Sequence, residues 1–209
     1  MKRKIKTLKA KIYQYGVRGT FSFYGYKLLK KVAKIEIKKS IFYYRSIEGN
    51  INEPSIIFRP LTFEDFEKAK KYGNKKWFSP KKMETLKSRI ENPDLQPFGH
   101  FDEEILSCYA WINFGQNKIG KIILDKNDCY FFDDYTDPKF RGRGYQKEMI
   151  KYRIIQASKH NRNRVWVNVY SYNRASKNNY LNTGFIPAIK LTTIIFRNGK
   201  VKNLYKYLI

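Results

Sequence analysis

The stretch from Cys129 to Ser158 constrains the fold most, because it joins a strand to a helix through a glycine turn. The apolar run 129–132 predicts a strand, and the apolar spacing of residues 147–158 predicts a helix. Between them lies the turn 141–144, with the sequence Arg-Gly-Arg-Gly. Such a turn leaves backbone N–H groups unpaired at the positive end of a helix dipole, which predicts a phosphate site.

Length and composition predict a folded, basic domain. The chain has 209 residues, of which 42% are hydrophobic and 17% aromatic, enough to build a sizeable core. Its formal net charge is +25, so anionic partners are favoured: nucleic acid, anionic lipid or phosphorylated small molecules. A solvated basic surface without any specific partner explains the charge equally well.

Residues 1–50 form a basic block of their own, with 14 Lys and Arg but only Glu36 and Glu48 as acids. We predict that they form an N-terminal extension, and that residues 51–209 form the main domain. Two short helices, 4–13 and 24–33, and a strand, 34–45, are predicted in this block. The favoured interpretation packs its aromatic residues on the main domain; the alternative lays its basic face on an anionic membrane.

The two cysteines, Cys108 and Cys129, lie on apolar runs without a neighbouring Cys or His. Buried thiols in a reducing cytoplasm are the simplest interpretation, and neither cysteine spacing nor His100 and His160 suggests a metal site. No apolar run approaches the ~18 residues that a membrane-spanning helix needs. We expect a cytoplasmic protein, with the inner face of the membrane as the alternative location.

After residue 55 the predicted elements alternate between strands and helices. Thr62 and Asp65 form a capping box, Gly73 ends that helix, and Pro80 begins the next. In chain order we predict strand 55–59, helix 63–72, a helix from 80 to before Pro93, strands 98–101, 106–113, 119–124 and 129–136, a helix to about 160, strand 164–170, helix 174–182 and a hairpin turning at 198–199.

This order resembles that of the GNAT acyltransferase superfamily, and two motifs make the resemblance specific. The family's pyrophosphate loop, R/Q-x-x-G-x-G/A after P-x-[FY], is matched by the run 138–146 except that Gln146 replaces the usual Gly or Ala. A second family pattern, N-x-x-[AS]-x-x-x-Y-x-x-x-G-F, is matched at Asn173, Ser176, Tyr180, Gly184 and Phe185. The sequence around Thr136 resembles that of the GNAT subgroup associated with bacterial polysaccharide and cell-envelope synthesis.

The resemblance implies a mixed α/β (α+β) fold, with a twisted, mostly antiparallel sheet flanked by helices. It also implies acetyl-CoA or another acyl-CoA as co-substrate, without a metal. The backbone of residues 141–146 would cradle the pyrophosphate, and the Tyr135–Thr136 backbone would pair with the pantetheine arm and stabilise the oxyanion. The implied cofactor-binding residues are Tyr135, Thr136, Arg141, Gly142, Arg143, Gly144, Tyr145, Gln146 and Asn173.

Three side chains are candidates for proton transfer. The resemblance implies that Tyr180 reprotonates the departing thiolate, although it could instead be one more packed aromatic residue. Asp133 and Asp134 are adjacent on a predicted strand and so point to opposite faces, where one of them could deprotonate or bind the acceptor ammonium. A capping pair at the strand end is the alternative, and His100 is a lesser candidate base.

The function predicted from the sequence is transfer of an acetyl or other acyl group from acyl-CoA to the amine of a small acceptor. The basic surface favours a phosphorylated or sugar acceptor. Acetylation of a protein, peptide or antibiotic amine is the alternative within the enzyme class. The alternative from another class is a non-catalytic basic module that binds anionic membrane or, less favoured, nucleic acid. Oligomeric state is not predicted.

Overall fold

The computed structural model describes residues 2–32, 35–49, 51–115, 118–119 and 122–208. Residues 33–34 and 120–121, which belong to predicted elements, lie outside the described residues. Contacts divide the chain into two compact units. We call residues 45–166 the middle unit, and residues 1–44 together with 167–209 the terminal unit.

The middle unit contains four neighbouring antiparallel strands: β2 (Arg59–Pro60), β3 (Leu95–Asp102), β4 (Ile105–Asn113) and β7 (Asp128–Thr136). Their order across the sheet is β7-β4-β3-β2. Seven consecutive residues of β4 are buried, because this strand carries a continuous apolar run covered on both faces. A separate pair, β5 (Lys118–Ile119) and β6 (Ile122–Ile123), makes its own two-stranded ladder.

Three helices belong to the middle unit: α2 (Phe63–Tyr72), α3 (Pro80–Ile90) and α4 (Tyr145–Lys159). Asp65 accepts the N–H of Thr62 at 2.9 Å at the start of α2, and proline occupies the first turn of α3. Helices α2 and α3 bury their apolar faces against one face of the sheet, in a cluster made of Leu61, Phe66, Ala69, Phe78, Met83, Leu86, Leu106, Tyr109, Trp111 and Tyr135.

The terminal unit contains α1 (Lys2–Val32), β1 (Glu36–Ser46), α5 (Arg174–Leu181), β9 (Ile186–Ile195) and β10 (Val201–Tyr207). The strand β8 (Arg164–Tyr170) begins in the middle unit and ends in this one. Strands β1 and β10 both pair with β9 in antiparallel register. None of the described helices is long and apolar enough to cross a membrane.

The predicted fold class is confirmed, since every described strand register is antiparallel and helices flank the sheet. The predicted division at residue 50 stays a prediction, although β1 pairs with β9 and the units divide the chain differently. Two short helices were predicted at 4–13 and 24–33, whereas α1 runs from Lys2 to Val32 as two longer helical segments that meet at a kink at Gly16, where φ is +71°. Burial of Tyr15 and Thr20 outweighs the helix-propensity cost of its glycines, about 1 kcal/mol each.

Candidate active site

The predicted phosphate loop is an exposed turn that ends at the first residue of α4. A single 3-10 turn, Pro138–Phe140, precedes it, and Gly142 and Gly144 both have φ of +83°. Nothing lies within 4 Å of a side chain added at Gly144, so glycine is favoured there by conformation rather than by space. Residues 141–144 of this turn are exposed, and the N–H of Lys147 donates to the Gly144 carbonyl at 2.9 Å as α4 begins.

Hydrogen bonds tie the two ends of this loop to β7. The buried carboxylate of Asp137 accepts the N–H of Lys139 at 2.9 Å and the hydroxyl of Tyr135 at 3.0 Å. The Gln146 side-chain amide donates to the Tyr135 carbonyl at 2.7 Å and to the Thr136 hydroxyl at 2.9 Å. Gln146 therefore fastens the first turn of α4 to the strand end, and its side chain is directed to β7 rather than across the glycines.

The two loop arginines are both exposed. Arg141 donates to the Thr136 carbonyl at 3.2 Å, and the Arg143 guanidinium lies 5.2 Å from the Phe140 ring centre. Tyr145 is half-buried, with its ring 5.6 Å from that of His100. The Nδ1 atom of His100 is 2.7 Å from the Ile57 carbonyl, so His100 is held beside the start of α4.

A β-bulge interrupts β7 one residue before Tyr135. Tyr109 faces Tyr135 and Trp111 faces Phe132, so Asp133 and Asp134 together oppose Ala110. Asp133 has a φ of +53°, the left-handed conformation that asparagine and aspartate tolerate better than most residues. The bulge changes the alternation of β7, so that Phe132 and Asp133 both contact Arg89 of α3.

The bulge sends its two carboxylates to different helices. Asp133 is paired with Lys82 and Arg89 of α3. Asp134 is paired with Arg153 of α4 at 2.9 Å. The two faces of β7 contact different helices here, since Phe131 contacts Arg153 of α4 and Phe132 contacts Arg89 of α3. Asp133 and Asp134 pair with these same two helices, which agrees with the expectation that their side chains point to opposite faces.

These cationic partners were not predicted from the sequence. Arg153 is fully buried and also donates to the Trp111 carbonyl at 3.1 Å. Its position among Met149, Ile150, Ile154 and Ala157 on the apolar stripe of α4 was a usable signal, because a charge there must be paired. Lys82 and Arg89 gave no comparable signal, since lysine and arginine on a helix usually face solvent.

An aromatic wall stands beside the Asp133 cluster. The partly exposed Trp77 ring stacks on Tyr135 with centres 4.9 Å apart, and its N–H donates to the Tyr109 hydroxyl at 3.0 Å. Tyr135 in turn stacks on Tyr109 at 5.2 Å. Burial raises the pKa of both tyrosines, so both phenols remain neutral at physiological pH.

Two predicted site residues belong to the terminal unit. The Asn173 side chain accepts the Ser176 N–H at 3.2 Å and thereby caps α5. Tyr180 is buried, and its ring makes an edge contact with Phe185 at 5.0 Å. The roles predicted for both residues in binding and catalysis stay predictions.

Other features of the middle unit lie outside this constellation. Cys108 and Cys129 are free and buried, and burial raises the pKa of each thiol to about 12, so neither is a ready nucleophile. The described residues contain no group of three His, Cys, Asp or Glu side chains arranged to hold a metal ion. An open cavity of about 550 Å³ beside α2 shares no residue with the glycine loop or the bulge.

The model of the acetyltransferase (GNAT) family matches residues 62–185, which is more than half of the chain. The chain therefore belongs to this family. Solved structures with the same fold include a GNAT-family acetyltransferase from Novosphingobium aromaticivorans, with a TM-score of 0.53 and 13% identity. That match covers 75% of this chain but spans only 63% of the other.

Two further solved structures are of the aminoglycoside N-acetyltransferase AAC(6')-Iy, one with CoA and one with the bisubstrate analogue CoA-S-monomethyl-acetylneamine. Their TM-scores are 0.50 and 0.51, and both are 13% identical to this chain. The matches cover 62% of this chain and 91% and 90% of the others. A search of the curated proteins found no significant match.

Family membership confirms the resemblance to the GNAT acyltransferases that the two motifs indicated. The exposed glycine turn 141–144 lies at the positive end of α4, where backbone N–H donors suit a pyrophosphate group.

Proposed function

We propose that this protein transfers an acetyl or other acyl group from acyl-CoA to the amine of a small acceptor within one ternary complex. The observation that carries the proposal is the exposed glycine turn 141–144, in which Gly142 and Gly144 both have φ of +83° and which Gln146 and Asp137 hold at the start of α4. When bound, acyl-CoA supplies a thioester whose acyl carbon becomes an amide while its sulfur leaves as the thiol. No enzyme-bound intermediate is required, and both thiols in the chain are buried.

The loop residues are assigned to binding of the co-substrate. The backbone amides of Gly142 to Gln146 hold the pyrophosphate, and the exposed Arg141 and Arg143 add positive charge on the side of the 3′-phosphate. The strand end at Tyr135 and Thr136 orients the amide-rich arm and donates one N–H to the developing oxyanion. Side-chain bonds from Gln146 hold that strand end in place.

For the acceptor we propose a small amine that also carries a phosphate or carboxylate, such as an amino sugar on a phosphorylated carrier. Lys82 and Arg89 share one carboxylate, Asp133, so this partly exposed cluster has one positive charge in excess. The partly exposed Trp77 ring, with the Lys82 ammonium 5.5 Å from its centre, supplies aromatic surface beside this cluster for a sugar. A polycationic antibiotic would meet like charge at this cluster, which argues against the antibiotic alternative.

Two groups are assigned to proton transfer. Asp133 takes the proton of the acceptor ammonium, directly or through water, because its ion-pair partner Lys82 lies 5.5 Å from the centre of the partly exposed Trp77 ring, whereas Asp134 is paired with the fully buried Arg153. Tyr180 returns a proton to the sulfur, a role proposed from its sequence motif alone.

Two finer parts of the proposal rest on the sequence. The amino-acid sequence around Thr136 supports a role in polysaccharide or cell-envelope synthesis. The two free, buried cysteines support a reducing, cytoplasmic location.

The test compares two glycines with the same strained conformation. Gly144 and Gly199 have φ of +83° and +78°, and a side chain added at either meets nothing within 4 Å. Each change to alanine should therefore cost about 1 kcal/mol of stability, but only Gly144→Ala should weaken acetyl-CoA binding, by about tenfold. Isothermal titration and the thermal shift with acetyl-CoA measure the difference. Absence of acetyl-CoA binding by the unaltered protein would overturn the proposal, and equal weakening in both variants would overturn the loop assignment.

A further inference from the structure

We propose that the second segment of α1, residues 17–32, lies on an anionic phospholipid surface. The surface in question is an apolar stripe, defined as Val17, Phe21, Tyr24, Leu28 and Val32. These residues recur at intervals of three or four, which places them along one face of a helix. All five side chains are exposed, Phe21 by 76% and Val32 by 74%.

The opposite face of α1 is already occupied within the terminal unit. Tyr15 and Phe23 make edge contacts with Tyr172 at 5.0 Å and 5.5 Å. A side chain added at Gly19 would come within 2.7 Å of the Tyr172 carbonyl, so the helix backbone approaches this residue closely. The helix therefore has two apolar faces, one packed and one exposed, and the aromatic residues predicted to pack on the domain are divided between them.

The positive charge of residues 1–35 indicates which partner the exposed apolar stripe of α1 binds. Residues 1–35 contain eleven Lys and Arg and no Asp or Glu. A second copy of the chain would bring the same cations together, which disfavours a dimer through this face. Nucleic acid satisfies the charge but offers no apolar layer for Phe21, Leu28 and Val32.

An anionic lipid surface satisfies both features at once. Helices that lie in the membrane interface combine lysine and arginine with aromatic and leucine side chains that enter the acyl boundary. Each basic residue near such a surface adds attraction that falls with salt. Because no described helix can cross a membrane, the predicted arrangement is a helix lying in the interface.

The first test is sedimentation of the full chain with vesicles of phosphatidylcholine, alone or with about one quarter phosphatidylglycerol. We expect binding to the mixed vesicles only, reduced by salt, and at least about tenfold weaker in Phe21→Ser/Leu28→Ser. Ile57→Ser is the matched control, because Ile57 is an apolar residue 87% exposed elsewhere in the chain, and it should bind like the unaltered protein. Equal binding by the double variant would overturn the proposal.

A second test measures whether residue 21 enters the lipid surface. Because Cys108 and Cys129 are buried with pKa values raised to about 12, a cysteine introduced as Phe21→Cys or Ile57→Cys can be labelled selectively with a polarity-sensitive dye. We expect a blue shift on anionic vesicles for the label at 21 and none at 57. A concentration-dependent dimer that alone shifts the label at 21 would overturn the proposal in favour of a second copy. Unchanged acetyl-CoA affinity in every variant distinguishes this proposal from the catalytic one.

Discussion

The bulge in β7 gives the adjacent residues Asp133 and Asp134 different ion-pair partners. In a regular strand Phe132 and Asp133 would face opposite ways, but the bulge brings both to Arg89 of α3. Asp134 is left to Arg153, a buried cation that must be neutralised. The two adjacent carboxylates are therefore paired with cations of two different helices, α3 and α4.

This division predicts different consequences for the two substitutions. Asp133→Asn should lower kcat by about 100-fold through loss of a base, with acetyl-CoA affinity nearly unchanged, and asparagine tolerates the left-handed backbone. Asp134→Asn should keep most activity but lower the free energy of unfolding by about 2 kcal/mol, because Arg153 loses its counter-charge. Steady-state kinetics and urea unfolding measure the two effects. Equal losses of turnover in both variants would contradict the assignment.

At Tyr180 the expected effect is confined to turnover. Tyr180→Phe keeps the buried ring and its contact with Phe185 while removing the hydroxyl. We expect kcat to fall by about 10- to 100-fold with acetyl-CoA affinity nearly unchanged, as for the loss of a general acid. Tyr170→Phe, at a half-exposed tyrosine in the same unit, is the control. Full activity in Tyr180→Phe would refute the acid role.

Among the elements, α2 shows how a cap links the sheet to a helix. The carboxylate of Asp65 accepts the N–H of Thr62 and two bonds from the Arg59 guanidinium, both at 2.7 Å. Arg59 lies on β2, so a single buried side chain starts α2 and fixes it to the edge of the sheet. The hydrogen bonds from Arg59, followed by that from Thr62, hold the pKa of Asp65 below its ordinary value despite burial.

The contribution of this cap depends on pH. Because the folded-state pKa is lowered, the stabilisation is present above the unfolded value of about 4 and is lost as pH falls through the folded value. Asp65→Ala should therefore lower the free energy of unfolding by about 1 to 2 kcal/mol at neutral pH and by much less in acid. Urea unfolding across this range is the measurement, with Glu67→Ala, an exposed acid on the same helix, as control. A difference that does not change with pH would contradict the explanation.

In the whole molecule, the part of the chain before the family model is the part richest in positive charge for its length. The model begins at residue 62, whereas residues 1–50 carry 14 of the 43 Lys and Arg. Within the terminal unit this N-terminal region contributes β1, paired with β9, and α1, packed near α5. The N-terminal region is therefore part of a compact unit, and one face of α1 remains available for the lipid surface proposed above.

The sequence by itself determined the order of most elements and the position of the glycine turn before α4. Periodicity, caps and glycine turns are local properties, so helix 63–72 and strand 164–170 were predicted with their observed bounds. A single strand was predicted at 119–124, whereas the described residues of this range belong to the short β5–β6 pair.

Only the tertiary structure decided which cations pair with Asp133 and Asp134. The bulge at Asp133 is a mismatch between two strands, and a strand's own sequence does not reveal the length of its partner. The partners Lys82 and Arg89 lie more than forty residues from Asp133, and Arg153 reaches Asp134 from another helix. Contacts between distant segments are set by how the helices pack on the sheet, so the glycine turn was visible in the sequence and the cations that pair with Asp133 and Asp134 were not.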